Sequence, residues 1–123
     1  MTHAAGARPH PVRYGVVPAG GLGTRFLPIT RAVPKELLPL VDTAVIEFVV
    51  RELAQSGIDR VVLVVGPGKE AVESYFRPNP RLEGRLAAES RSHELELLRR
   101  PERLAEVRSV LQDARGGGEV PVR

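Results

Sequence analysis

Tyr14-Gly15-Val16-Val17-Pro18, running straight into Ala19-Gly20-Gly21-Leu22-Gly23-Thr24-Arg25, is the stretch that decides the fold. A short apolar run that ends at a glycine-rich turn reads as a buried strand of a parallel sheet, because such strands lose the alternation of half-exposed ones. The three glycines let the backbone turn sharply and bring successive N–H groups within reach of phosphate oxygens. Arg25 adds a planar donor fork suited to phosphate. By itself the turn is a weak signal. The lysine of a P-loop is missing at its fixed spacing, and Thr24-Arg25-Phe26 offers no third glycine for a dinucleotide fingerprint.

Outward from the turn, Ala19 to Asp42 is rich in Gly, Pro and Thr and reads as a long ordered loop. Its embedded Phe26, Leu27, Leu37, Leu38, Leu40 and Val41 favour a packed, functional excursion over a loose one. Lys35 follows the glycine turn in a proline-braced segment, so a triphosphate could be clamped from two sides; the alternative is a surface loop whose lysine is merely solvated. Asp42 or Thr43 is placed to cap a helix running to about Ser56, with Val45, Ile46, Val49, Val50 and Leu53 at helical spacing and Gly57 as the stop. Arg60 to Val65 is a β-branched run and a second buried strand. Gly66-Pro67-Gly68 turns the chain at the carboxyl end of that strand, the usual ligand side, so Lys69 is suited equally to the site and to a solvated turn. Lys69 to Phe76 has the pattern of a short helix. This order is a βαβα unit with a right-handed crossover. Arg81 to Leu111, charged and Leu-spaced, predicts two or three amphipathic helices, with Pro101 in the first turn of the last. Gly116-Gly117-Gly118 is a joint, and Val120-Pro121-Val122 opens another strand.

Composition bounds the function. The chain has 123 residues, enough for one domain. It has 18 Lys and Arg against 15 Asp and Glu, a net charge of +3, which suits an anionic small molecule. Nucleic acid is not expected, since that charge is not gathered into a basic stripe with stacking aromatics. The arginines from Arg77 to Arg108 alternate with glutamates and read as a solvated mixed-charge face. Cysteine is absent, which removes disulfides, thiolate metal sites and a Cys nucleophile. No apolar run is long enough to cross a bilayer, and residues 1–13 lack the apolar core of a secretory signal. A disordered leader and a cytoplasmic, membrane-free protein are the expectation. His3, His10 and His93 have no metal-ligand spacing.

With these residues in view, the segment from Val16 to Asp42 resembles the signature of the sugar-1-phosphate nucleotidyltransferase superfamily. Phe26-Leu27-Pro28 and Pro34-Lys35-Glu36-Leu37-Leu38-Pro39 are most similar to the bacterial UTP–glucose-1-phosphate uridylyltransferases; relatives that use other bases usually carry another residue where Glu36 stands. The likeness continues through Val41-Asp42-Thr43, Ile46-Glu47 and Gly57-Ile58. It implies an incomplete three-layer, Rossmann-like α/β fold, with residues 14–123 as the N-terminal part of a nucleotidyltransferase domain. It also implies roles by position. Ala19, Gly20, Gly21, Leu22 and Gly23 would offer backbone groups to base and phosphates. Thr24 and Arg25 would hold the triphosphate, Lys35 would bind it from the other side, and Glu36 would lie near the base. Gly20 is a departure, because the uridylyltransferases commonly have Ala there and the thymidylyltransferase-like relatives Gly.

The implied partners are UTP and glucose 1-phosphate, with Mg²⁺ as cofactor and a possible homo-oligomer in the full-length enzyme. Family members are considerably longer, and the metal-binding Asp is expected beyond Arg123. The chain is therefore expected to bind nucleotide weakly and to catalyse little or nothing by itself. Its uncovered sheet edge makes poor solubility an expectation too. Two readings compete with uridylyl transfer: a non-catalytic nucleotide-binding remnant, and a thymidylyltransferase acting on glucose 1-phosphate.

Overall fold

A computed structural model describes residues 14–112. The expected leader at residues 1–13, the glycine joint and the strand at Val120-Pro121-Val122 lie outside the described residues. β1 (Tyr14–Ala19) and β4 (Arg60–Val65) form where the apolar runs predict them. They pair in parallel, Tyr14 opposite Arg60 and Ala19 opposite Val65. The helix between them, α1 (Val45–Gln55), ends at Ser56, and Gly57 takes a φ of 95° to leave it. After β4 comes the short α2 (Glu70–Ser74), as expected.

Two local readings need correction. Neither Asp42 nor Thr43 caps α1. The cap residue is Ala44, with no side-chain bond, because Thr43–Ala44 (β3) is drawn into a two-residue antiparallel ladder with Pro39–Leu40 (β2). The first helical amide, Val45 N, donates to the Leu38 carbonyl at 3.0 Å, so backbone replaces the expected side-chain cap. The second correction concerns Arg81 to Leu111. Two helices do form, α3 (Pro80–Ala88), capped by the Asn79 side chain, and α4 (Ser92–Arg99), and Pro101 sits in the first turn of a 3-10 segment, Arg100–Arg103. The remainder is not helical. Glu106–Leu111 is β5, a third parallel strand against β4. Its Val107, Ser109 and Leu111 share a face, a period of two that the leucine spacing upstream obscures. The Ala19–Asp42 excursion also holds more regular structure than a loop. It winds through three 3-10 turns, Thr24–Phe26, Ile29–Arg31 and Lys35–Leu37.

The sheet order is β1-β4-β5, all parallel. Right-handed crossovers that step in one direction across a sheet place their helices on one face, and burial agrees. Ala19, Val61, Leu63 and Val65 point into the core with Ile46 and Val50 of α1 and with Val72 and Phe76. Gly15 belongs to the same face, where Leu53 packs so closely that a Cβ would lie 3.0 Å from its Cδ1. The burial expected for β1 is met on this face alone: the described residues leave the opposite face open, with Val16 60% and Val110 52% exposed. The described residues thus supply a sheet and one helical layer. Threonine at Val16 or Val110 is expected to change unfolding free energy by no more than about 0.5 kcal/mol. Threonine at fully buried Val61 is expected to cost about 1–3 kcal/mol for an unpartnered hydroxyl. Urea unfolding of the chain compares the three.

A buried ion cluster pins α1 to the end of the helical layer. Glu47, fully buried, accepts from Arg51 Nη2 at 2.6 Å, Tyr75 Oη at 2.5 Å, and Arg100 through Nε at 2.6 Å and Nη2 at 3.0 Å.

Candidate functional site

β1 delivers the chain to the carboxyl end of the sheet at buried Ala19, and the glycine turn begins at once. Gly23 takes a left-handed φ of 68°, caps the first 3-10 turn, and accepts from Phe26 N at 3.0 Å and Thr30 Oγ1 at 2.7 Å. A side chain there is strained: at this φ a Cβ would sit 3.0 Å from Thr30 Cγ2 and 3.1 Å from Lys35 Cβ, so those neighbours would have to give way. Pro28 and Pro34 precede the second and third 3-10 turns and fold the excursion back on itself, which carries Lys35 to the glycines. The Lys35 ammonium reaches Gly21 so closely that a Cβ on that residue would come within 2.6 Å of Nζ.

Leu22, Gly23, Thr24, Arg25, Phe26 and Lys35 line one cavity of about 540 Å³. Among the described residues neither Arg25 nor Lys35 is ion-paired, so both charges are available to an anion in that cavity. Ala19, Gly20, Gly21 and Glu36 are not part of its lining. Glu36 is buried to the side, where its Oε1 accepts from Lys69 Nζ at 2.8 Å. A second hollow, lined by Tyr14, Arg60, Val61, Val62, Glu106 and Arg108, opens at the amino ends of the strands. Open parallel sheets bind ligands at the carboxyl ends. Arg60 is also already engaged, donating to the Tyr14 hydroxyl and pairing with Glu106. The glycine-turn cavity is the candidate site.

Two residues were not assigned to it from sequence. Gln112, just past β5, donates from its N–H to the Val65 carbonyl at 2.7 Å. Its Oε1 lies 3.2 Å from where a Cβ on Gly20 would be, so alanine at position 20 requires that amide to yield a few tenths of an ångström. Reading Glu106–Leu111 as helix hid this placement; the valines at positions 107 and 110 were the available signal. Lys69, for which a solvated turn was the competing reading, is instead largely buried against Glu36 and the Gly21 carbonyl. Among the described residues no group of three or more His, Cys, Asp or Glu could hold a metal, and no helix is long and apolar enough to cross a membrane.

A glycine turn at the end of a parallel strand, with two cations over one cavity that no described residue pairs, is an arrangement on an α/β scaffold that suits an anionic group. Residues 14–103 match the nucleotidyl transferase family, and the chain belongs to it. Its relatives narrow the likeness. It is 40% identical over 101 residues to the UTP–glucose-1-phosphate uridylyltransferase of Bacillus subtilis, covering 82% of this chain and 35% of that protein. It is 45% identical over 87 residues to that of Streptococcus pyogenes, covering 71% and 29%. Among solved structures, a UTP-bound UGPase from Acinetobacter baumannii superposes with a TM-score of 0.70 at 38% identity, covering 83% of this chain and 36% of that one. An apo UDP-glucose pyrophosphorylase gives 0.73 at 32% identity, covering 84% and 38%. The chain spans about a third of the length of these relatives.

Proposed function

We propose that the chain forms the nucleotide-gripping part of an enzyme that transfers a uridylyl group from UTP to glucose 1-phosphate. A phosphate oxygen of the sugar phosphate attacks the α-phosphorus of UTP. A new P–O bond forms, the bond to the β,γ-pyrophosphate breaks, and UDP-glucose and pyrophosphate leave. Positioning and charge neutralisation lower the barrier, since the protein has little covalent work to do. The observation that carries this reading is the shared cavity of Arg25 and Lys35 beside the glycine turn. Arg25 is assigned to the departing pyrophosphate and Lys35 to the same phosphates from the other side. The N–H groups of the 19–24 stretch serve base and phosphates, and the family likeness puts Glu36, which lies outside the cavity lining, near the base. Gln112 adds an amide, both donor and acceptor, at the strand end where a base edge could be read.

Mg²⁺ is the ion expected to accompany the triphosphate. The described residues contain no ligand cluster that fits it, so no step here passes through the metal. A cytoplasmic setting goes with this reading, as does the assignment of residues 14–123 to one nucleotidyltransferase domain.

Titration calorimetry of the chain with UTP tests the proposal. Each charged hydrogen bond to phosphate contributes about 1.5–3 kcal/mol, so Arg25→Ala and Lys35→Ala should each weaken UTP by about tenfold to a hundredfold. Parent-like affinity in both variants would remove the site. Competition by dTTP at equal affinity would favour thymidylyl transfer, the reading that Gly20 keeps open.

A further inference from the structure

Lys69 stands outside the cavity of Arg25 and Lys35, in the loop that leaves β4. Its Nζ donates to the Gly21 carbonyl at 2.6 Å and to Glu36 Oε1 at 2.8 Å. The two side chains are only 12% and 10% exposed. One ammonium therefore joins three segments that are far apart in sequence: the glycine turn, the third 3-10 turn and the loop after β4. Opening this bracket would leave the Glu36 carboxylate buried without a counter-charge, which keeps it closed.

The bracket has a geometric consequence. In a planar trans peptide the carbonyl and the following N–H point in opposite directions. With the Gly21 carbonyl held toward Lys69, the Leu22 N–H is turned away from it, and Leu22 lines the candidate cavity. Gly21, lacking a Cβ, has little intrinsic preference that would hold this peptide in one orientation. The two lysines beside Gly21 also divide their work: the Lys69 charge is neutralised by Glu36, while that of Lys35 is left for a ligand.

We infer that Lys69 is a positioning residue for the nucleotide, locking the Gly21–Leu22 peptide so that the Leu22 N–H faces the phosphates. This rests on the nucleotide reading above and deepens it. Lys69 itself touches no phosphate.

Hydrogen exchange and UTP titration of the full chain test the inference. In Lys69→Met, amides of residues 23–38 are expected to exchange about tenfold faster while those of 60–65 keep their rates, and UTP is expected to bind about tenfold more weakly. Lys69→Arg keeps the charge and the donors and should return both to within about threefold of the parent. Because Lys69→Met strands a buried carboxylate, Lys69→Met with Glu36→Gln is measured beside it; this pair removes the stranded charge but not the loss of the Gly21 tether, and should still exchange fast. Unchanged exchange in the double variant, or parent-like UTP affinity in Lys69→Met, overturns the inference. If the parent chain binds no UTP, the functional reading fails, and the exchange rates still decide whether Lys69 holds the turn.

Discussion

Glu47→Ala is expected to lower the unfolding free energy of the chain by about 3–5 kcal/mol, the cost of removing one partner from a buried charge cluster. Small domains have only about 5–15 kcal/mol in total. Glu47 is fully buried on α1, and its two oxygens receive four donors from Arg51, Tyr75 and Arg100. Alanine leaves these donors facing a cavity and cuts the link between α1 and the segment that feeds β5. Arg51→Ala removes only one donor, from a partly exposed side chain, and should cost about 1 kcal/mol. Urea midpoints rank the two. Equal, small losses would mean that solvent reaches the cluster and satisfies it.

The same carboxylate sets an acid limit on the fold. Burial pushes its pKa up, but the hydrogen bonds from Arg100 and Tyr75, the Arg100 charge and the Arg51 bond outweigh burial and hold it below the ordinary 4.5. A carboxyl group whose folded pKa is depressed stabilises the fold above its unfolded pKa and loses that contribution as pH falls through the folded one. Stability from Glu47 is therefore complete above about pH 4.5 and declines below it, and Glu47→Gln should flatten that part of the profile.

Gly23→Val is expected to weaken UTP binding by at least about a hundredfold, equivalent to about 2.8 kcal/mol. A β-branched residue at a φ of 68° carries about 1–2 kcal/mol of backbone strain. Its Cβ would also press on Thr30 and on Lys35 Cβ, an atom close to the backbone that cannot swing aside as a side-chain tip can. The strain is relieved by moving the third 3-10 turn, and with it the Lys35 ammonium, away from the cavity. Gly57→Ala is the control. It shares a positive φ, 95°, but a Cβ there meets nothing within 4 Å. It should cost about 1 kcal/mol of stability and leave UTP binding as it was. Equal effects of the two substitutions on affinity would show that the Gly23 contacts do not shape the site.

What the chain's order alone determined were features whose cause is local. An apolar run into a glycine turn makes β1 and the start of the candidate site; the helical spacing of Val45 to Leu53 with Gly57 beyond makes α1; a β-branched run between breakers makes β4. Each is governed by backbone preference and by the period of burial over a few residues. Tertiary structure decided the rest, because the partners are distant along the chain. Glu47 on a helix reads like any solvated glutamate until Arg100 and Tyr75 arrive from elsewhere in the fold. Glu106–Leu111 became a strand because β4 offered an open parallel edge, and that choice carried Gln112 to the glycine turn. Lys69 was equally suited to solvent or site until the Gly21 carbonyl and Glu36 were brought to it. A buried charge is stable only when its counter-charge and hydrogen bonds come with it, and that requirement is met in three dimensions.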